Sequence, residues 1–229
     1  MGMKFLKFLI FVVVSFFLIV LHAFVQAYVA YLNGDRTARQ AKRLTLNPVR
    51  HFDFVGLLLI IFCRIGFTKP IPTNSYYFKH KRFGLLSVPI SGLLVYILSA
   101  FFSVPLLFVC VKYLQPVMSS TVAGERGYEL IYTIFHSVFT AGIGLFLFNL
   151  IPIYPLDGYN IVEGVFGCTN TFARWLRDYA KYVFLSVIIT FYFADLFGLP
   201  SFLNPAYWYM EVLGGYIQQL FINIWLPLF

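Results

Sequence analysis

From Phe5 to Tyr31 the chain carries no proline, no glycine and a single charge, Lys7. At about 1.5 Å of rise per residue, a helix of this length reaches across a ~30 Å hydrocarbon core with turns to spare. No soluble fold of 229 residues has an interior wide enough to hide several such runs, and further ones follow. Composition agrees: 60% of residues are apolar, 21% aromatic and only 11% charged, where a soluble domain carries about 25% charge. So few charges cannot cover a globule, which leaves lipid as the solvent for much of the surface. One integral membrane domain over 1–229 is expected, all-α and multi-pass, with about five or six crossings. Lys4 and Lys7 before an apolar stretch, then Val25-Gln26-Ala27, also resemble a cleavable signal peptide, but the apolar pattern continues past that point without a break.

Net charge is +8, and ten of the 17 Lys and Arg lie between Arg36 and Arg82 with Asp53 as the only acid among them. No nucleic-acid recognition motif surrounds these cations, and apolar segments flank them. The pattern is that of basic loops on the cytoplasmic side of a cell membrane, 33–82, touching anionic lipid headgroups; nucleic acid is not an expected partner. Cys63, Cys110 and Cys168 are odd in number and far apart, which suggests neither a disulfide framework nor a CxxC metal site.

Further along, Phe52–Phe67 is apolar but short for a crossing and contains Arg64. Both loops flanking it are basic, so a re-entrant or shallow segment satisfies the charge rule better than a span. Thr68–Phe78 (TKPIPTNSYYF) alternates in character and holds two prolines, predicting edge strands or a small β-hairpin. Crossings are expected at Leu85–Tyr113, Leu130–Ile153 and Val183–Leu199. Trp208–Phe229 reads as a last crossing or an interfacial helix, with Trp208 and Trp225 as interface anchors. No internal repeat is evident, and the intramembrane acids expected of a carrier are missing: Asp195 and Glu211 lie near segment ends. A transporter or channel stays open only as an alternative.

Two polar features stand out inside or beside apolar helices. His22 and Gln26 are one turn apart on one helix face, the spacing at which an HExxH helix grips zinc with two histidines while the Glu activates water. Taken alone, such a His–Gln pair is more often an interhelical hydrogen-bonding pair. Asp157 follows the proline-broken turn Asn149-Leu-Ile-Pro-Ile-Tyr-Pro-Leu and could be a metal ligand or a cap for the next helix.

A third feature is a string of short motifs: Gly34-Asp35-Arg-Thr-Ala-Arg, Arg43-Leu-Thr-Leu-Asn-Pro48, His51-Phe-Asp53-Phe-Val-Gly56 and Thr68-Lys-Pro-Ile-Pro72 before Asn74. With His22 and Leu156-Asp157-Gly158, their order and spacing over 15–165 closely resemble the short bacterial and archaeal site-2 proteases, which are intramembrane zinc metalloproteases of the HExxH type. The resemblance implies a site-2 protease-like core with additional C-terminal helices at 176–229. It implies that His22 and Asp157 are zinc ligands, and that Thr68, Lys69, Pro70, Ile71, Pro72 and Asn149 contact a transmembrane protein substrate or partner.

Three positions depart from that family's pattern. Ala23 stands where the general-base Glu belongs, Gln26 where the second His belongs, and Gly92 where an Asn belongs. Alanine cannot accept a proton, and general-base help is worth about 10²–10⁴-fold. An amide oxygen is a far weaker zinc ligand than imidazole. His51, Cys63 and His136 are the conceivable substitutes. The expectation is therefore a homologue without catalysis, a pseudoprotease that binds a membrane-embedded partner, with zinc in doubt. An active enzyme, or an inactivated variant of one, is the alternative. Gly92 favours a natural origin because it lies outside the motif an experimenter would alter.

Overall fold

The computed structural model describes residues 2–167, 170–193 and 207–229. Eleven α-helices are found among them: α1 Gly2–Leu32, α2 Thr37–Gln40, α3 Pro48–His51, α4 Phe54–Cys63, α5 Lys81–Val109, α6 Gln115–Met118, α7 Val122–Leu150, α8 Asp157–Phe166, α9 Thr171–Asp178, α10 Ala180–Phe193 and α11 Leu213–Trp225. A π turn, Cys110–Leu114, continues α5 into α6, and another, Tyr207–Val212, leads into α11.

Three of these stretches are long and apolar enough to cross a membrane: Gly2–Leu32, Lys81–Met118 and Val122–Leu150. They pack on one another through Leu18, Ile19, Tyr96, Ala141 and Leu145. Away from this seam the helices stay apolar, with Phe17 68% and Phe102 57% exposed. Large side chains left bare on the outside, polar groups gathered inside: this is an all-α membrane protein.

The expected five or six crossings are not found among the described residues. After α7 the helices shorten. α11 has 13 residues, about 20 Å at the usual rise, and carries Gln218, Gln219 and Asn223. Its apolar face lies on α5 and α7, where Ile217, Phe221 and Trp225 cover Ala100, Val104 and Phe139. Trp225, expected as an interface anchor, packs against Phe101 of α5. Of the expected Val183–Leu199 crossing, residues 194–199 lie outside the described residues, as do Cys168 and Asp195.

The segment Phe52–Phe67 forms no helix long enough to cross. Asp53 caps α4 by accepting the Gly56 amide at 2.8 Å, and the helix stops after ten residues, when Arg64 takes a left-handed conformation at φ 57°. The chain then doubles back along α4: a Cβ on Gly56 would lie 2.0 Å from the Phe67 carbonyl oxygen, and one on Gly66 2.6 Å from Ile60. These two glycines let the returning backbone lie directly against the helix.

No strand forms among the described residues, which corrects the β-hairpin expected at Thr68–Phe78. Residues 65–74 form neither helix nor strand and bend at Lys69, and Ser75–Tyr77 closes as a single 3₁₀ turn. Pro70 and Pro72 have no amide proton to give a ladder. Instead the segment is tied at two points. Arg43 donates to the Lys69 carbonyl at 2.6 Å, and Asp35 accepts the Asn74 amide at 2.7 Å. Asp35 is fully buried and also accepts from Thr37. Just before it, Gly34 has φ 104°, and a Cβ there would press on the Tyr77 carbonyl at 2.9 Å.

Candidate functional site

His22 lies ten residues before the end of α1, about 15 Å below it. Its Nε2–H donates to Asp157 Oδ2 at 2.6 Å across 135 positions of sequence. One turn further along, Gln26 Nε2 donates to the other oxygen, Oδ1, at 2.7 Å. All three residues are buried. The carboxylate is therefore held by two donors from one helix face, as the i, i+4 spacing permits. The two candidate readings of this pair and of Asp157 merge: His22 and Gln26 do not bond each other but share an acceptor on α8. Asp157 is not a cap, since α8 begins without a side-chain cap and the carboxyl is turned to α1.

Two close approaches bring these groups together. A Cβ on Gly158 would sit 2.1 Å from the Leu150 carbonyl oxygen, so this glycine lets α8 start against the end of α7 and aims Asp157 inward. The turn between, which includes a cis Tyr154–Pro155 bond, completes that reversal. On α5, a Cβ on Gly92 would come within 2.5 Å of both His22 Nε2 and Gln26 Nε2. The position noted in sequence only as a departure is the space that the two side chains occupy. Tyr96, one turn on from Gly92, stacks its ring on the imidazole with centroids 4.6 Å apart and planes 10° from parallel. Sequence reasoning missed Tyr96; the signal was its i, i+4 relation to Gly92 on the same face of α5.

A groove of about 450 Å³ opens onto this cluster. Thr68, Pro70, Ile71 and Pro72 line it together with His22, Gln26, Asp157 and Asn149. Lys69 does not, because its side chain is exposed and its carbonyl is held by Arg43. Asn149 has a structural task as well: its amide donates to Gly66 O at 3.1 Å and Leu145 O at 2.8 Å, fastening the returning segment to α7.

Of the conceivable substitute ligands, none joins the cluster. His51 donates through Nε2 to Thr45 O at 2.7 Å, leaving Nδ1 buried without a partner. Burial pushes its pKa below the usual histidine value, with Arg43 and His22 adding repulsion and the Thr45 carbonyl opposing them. Cys63 and His136 line a different cavity. Among the described residues, no group of three His, Cys, Asp or Glu side chains could hold a metal.

The donors do not fit a catalytic zinc, which takes three protein ligands plus an open position for water. One imidazole and one carboxylate are available. The third side chain is a neutral amide, and the buried methyl of Ala23 offers no base.

Fold and site together define an all-α membrane protein with a buried His–Gln–Asp cluster at the back of a groove. Over 143 residues, 62% of its length, the chain is 38% identical to the Bacillus subtilis (strain 168) protein named "Putative zinc metalloprotease YwhC". The match takes in 63% of that protein, so less than two thirds of the relative is represented. No protein-family profile matches the chain. No solved structure matches it either.

Proposed function

We propose that this chain is a site-2 protease-like membrane protein that holds a polypeptide partner in its groove without hydrolysing it. The observation that carries this reading is the make-up of the cluster: beside His22 and Asp157 the third side chain is the neutral amide of Gln26, and Ala23 stands where a base would. A protease centre of this type needs the carboxylate and imidazole pointed at a metal and a base beside them. Here the third ligand position is an amide, and position 23 is alanine. The similarity to a protein named as a zinc metalloprotease supports the ancestry of the groove.

Binding falls to the segment 68–74. Its two ends are fixed by Arg43 and Asp35, while the amides of Ile71 and Thr73 find no hydrogen-bond partner among the described residues. A transmembrane partner unwound at this depth would supply carbonyls to those amides, as strand addition does elsewhere. The loops at 33–82 face the cytoplasm of a cell membrane in this reading, because their cations obey the positive-inside rule.

Zinc content per chain, measured by elemental analysis of detergent-purified protein beside a His22→Ala control, tests the catalytic half. Background zinc in both samples supports the proposal; near-stoichiometric zinc that vanishes in the control overturns it. Photo-crosslinking from Thr73 tests the binding half. Replacing Ile71 with Pro should abolish partner capture, and undiminished capture would sink the strand-addition idea.

A further inference from the structure

A second cavity lies apart from the groove and is the larger of the two. About 930 Å³ lies toward the first turns of α1 and α7, walled by those helices, the tip of α4 and the Tyr207–Trp225 segment. It is at the upper end of the ~300–1,000 Å³ range of small-molecule sites. Four basic side chains line it, Lys4, Lys7, Arg64 and His136, against one acid, Glu211.

Arg64 is the informative one. It sits at the tip of a helix that enters the bundle from the groove's side and stops partway, in a left-handed conformation that an Arg adopts at a cost. Its guanidinium lies over the Phe11 ring at 5.7 Å, and no carboxylate comes within ion-pairing distance among the described residues. Phe11 is one helical turn deeper than Lys7, so this charge lies inside the depth spanned by α1. Lys7 differs: it is matched by Glu129 at 2.6 Å. A charge left at such depth without a counter-ion is costly in a bilayer, and intramembrane ionisable residues mark ligand sites. Around the cations the wall turns apolar, with Phe8, Phe62, Ile143 and Leu147.

We propose that this cavity binds an anionic phospholipid of the surrounding bilayer, its phosphate on Arg64 and Lys4 and an acyl chain along the apolar wall. Guanidinium matches a phosphate's paired oxygens with two parallel N–H donors. Lys4, near the start of α1, lies where a headgroup would enter.

The test uses the full chain, delipidated in neutral detergent, with phosphatidylglycerol, phosphatidylcholine or inorganic phosphate added and bound ligand counted by native mass spectrometry. Two variants remove the site in different ways. Arg64→Asn removes the charge with a residue that tolerates the left-handed conformation. Gly144→Leu fills the space: a Cβ there meets only the Arg64 carbonyl, at an ordinary 3.9 Å, so the side chain grows into the cavity.

The proposal expects one phosphatidylglycerol held per chain in preference to phosphatidylcholine, and roughly tenfold or greater weakening in each variant. Equal retention of the two lipids, or unchanged affinity in both variants, overturns it. Inorganic phosphate binding as well as phosphatidylglycerol overturns the lipid assignment in favour of a soluble anion.

Discussion

In the groove, Asp157 offers two oxygens and both are taken, by His22 and by Gln26. In the second cavity, Arg64 offers a guanidinium and no carboxylate takes it among the described residues. In one polar site the acceptor and its donors all belong to the protein; in the other a cation stands without a carboxylate. The contrast separates two uses of polar residues inside a membrane bundle. The hydrogen-bonded cluster ties α1 to α8, because loss of Asp157 would leave two buried donors without their acceptor. A wide, mostly apolar cavity with surplus charge contributes little to that cohesion and is free to recognise a ligand.

Stability measurements can break this comparison. The largest effect is expected for Asp157→Ala, which strands the His22 and Gln26 donors in a buried site: a loss of about 3 kcal/mol in detergent unfolding. Gly92→Ala comes next. Its methyl would press on both side chains, and the imidazole cannot retreat from the Tyr96 ring behind it, so about 2 kcal/mol is expected. Histidine NMR should then show the His22 ring displaced. Asn149→Ala, which frees the Gly66 carbonyl, should cost about 1–2 kcal/mol in the same unfolding experiment. Arg64→Asn should leave lipid-free stability unchanged or raise it by about 1 kcal/mol or less, since it removes an unpaired charge and tolerates the left-handed conformation. If it proves as damaging as Asp157→Ala, the two cavities are not the different kinds of site described above.

Much of the groove could be read in the sequence. The one-turn spacing of His22 and Gln26 put them on one face. The charge of the loops around Phe52–Phe67 argued against a crossing, and the helix found there is ten residues long. What failed to be legible depends on tertiary partners. Alternation and two prolines at Thr68–Phe78 suggested a hairpin, but a strand exists only when another lies beside it, and here side chains from Arg43 and Asp35 took that place. Apolar composition after residue 180 suggested more spans, yet α11 spends its apolar face on α5 and α7. Gly92 was visible only as an oddity, since the meaning of a missing side chain lies in what fills its space.

The shortness of α4 bears on how the chain is made. Ten apolar residues are too few to be halted in the bilayer as a span while synthesis continues. The contacts that fix them come from both directions: Ile60 packs with Leu18 and Ile19 behind it and with Tyr96, Ala141 and Leu145 ahead, and Asn149 secures the return at Gly66. Those later partners leave the ribosome some 35 to 90 residues afterwards. Until α7 arrives, an apolar stretch flanked by cations must wait at the membrane surface. The basic loops on either side of it are placed to keep it there.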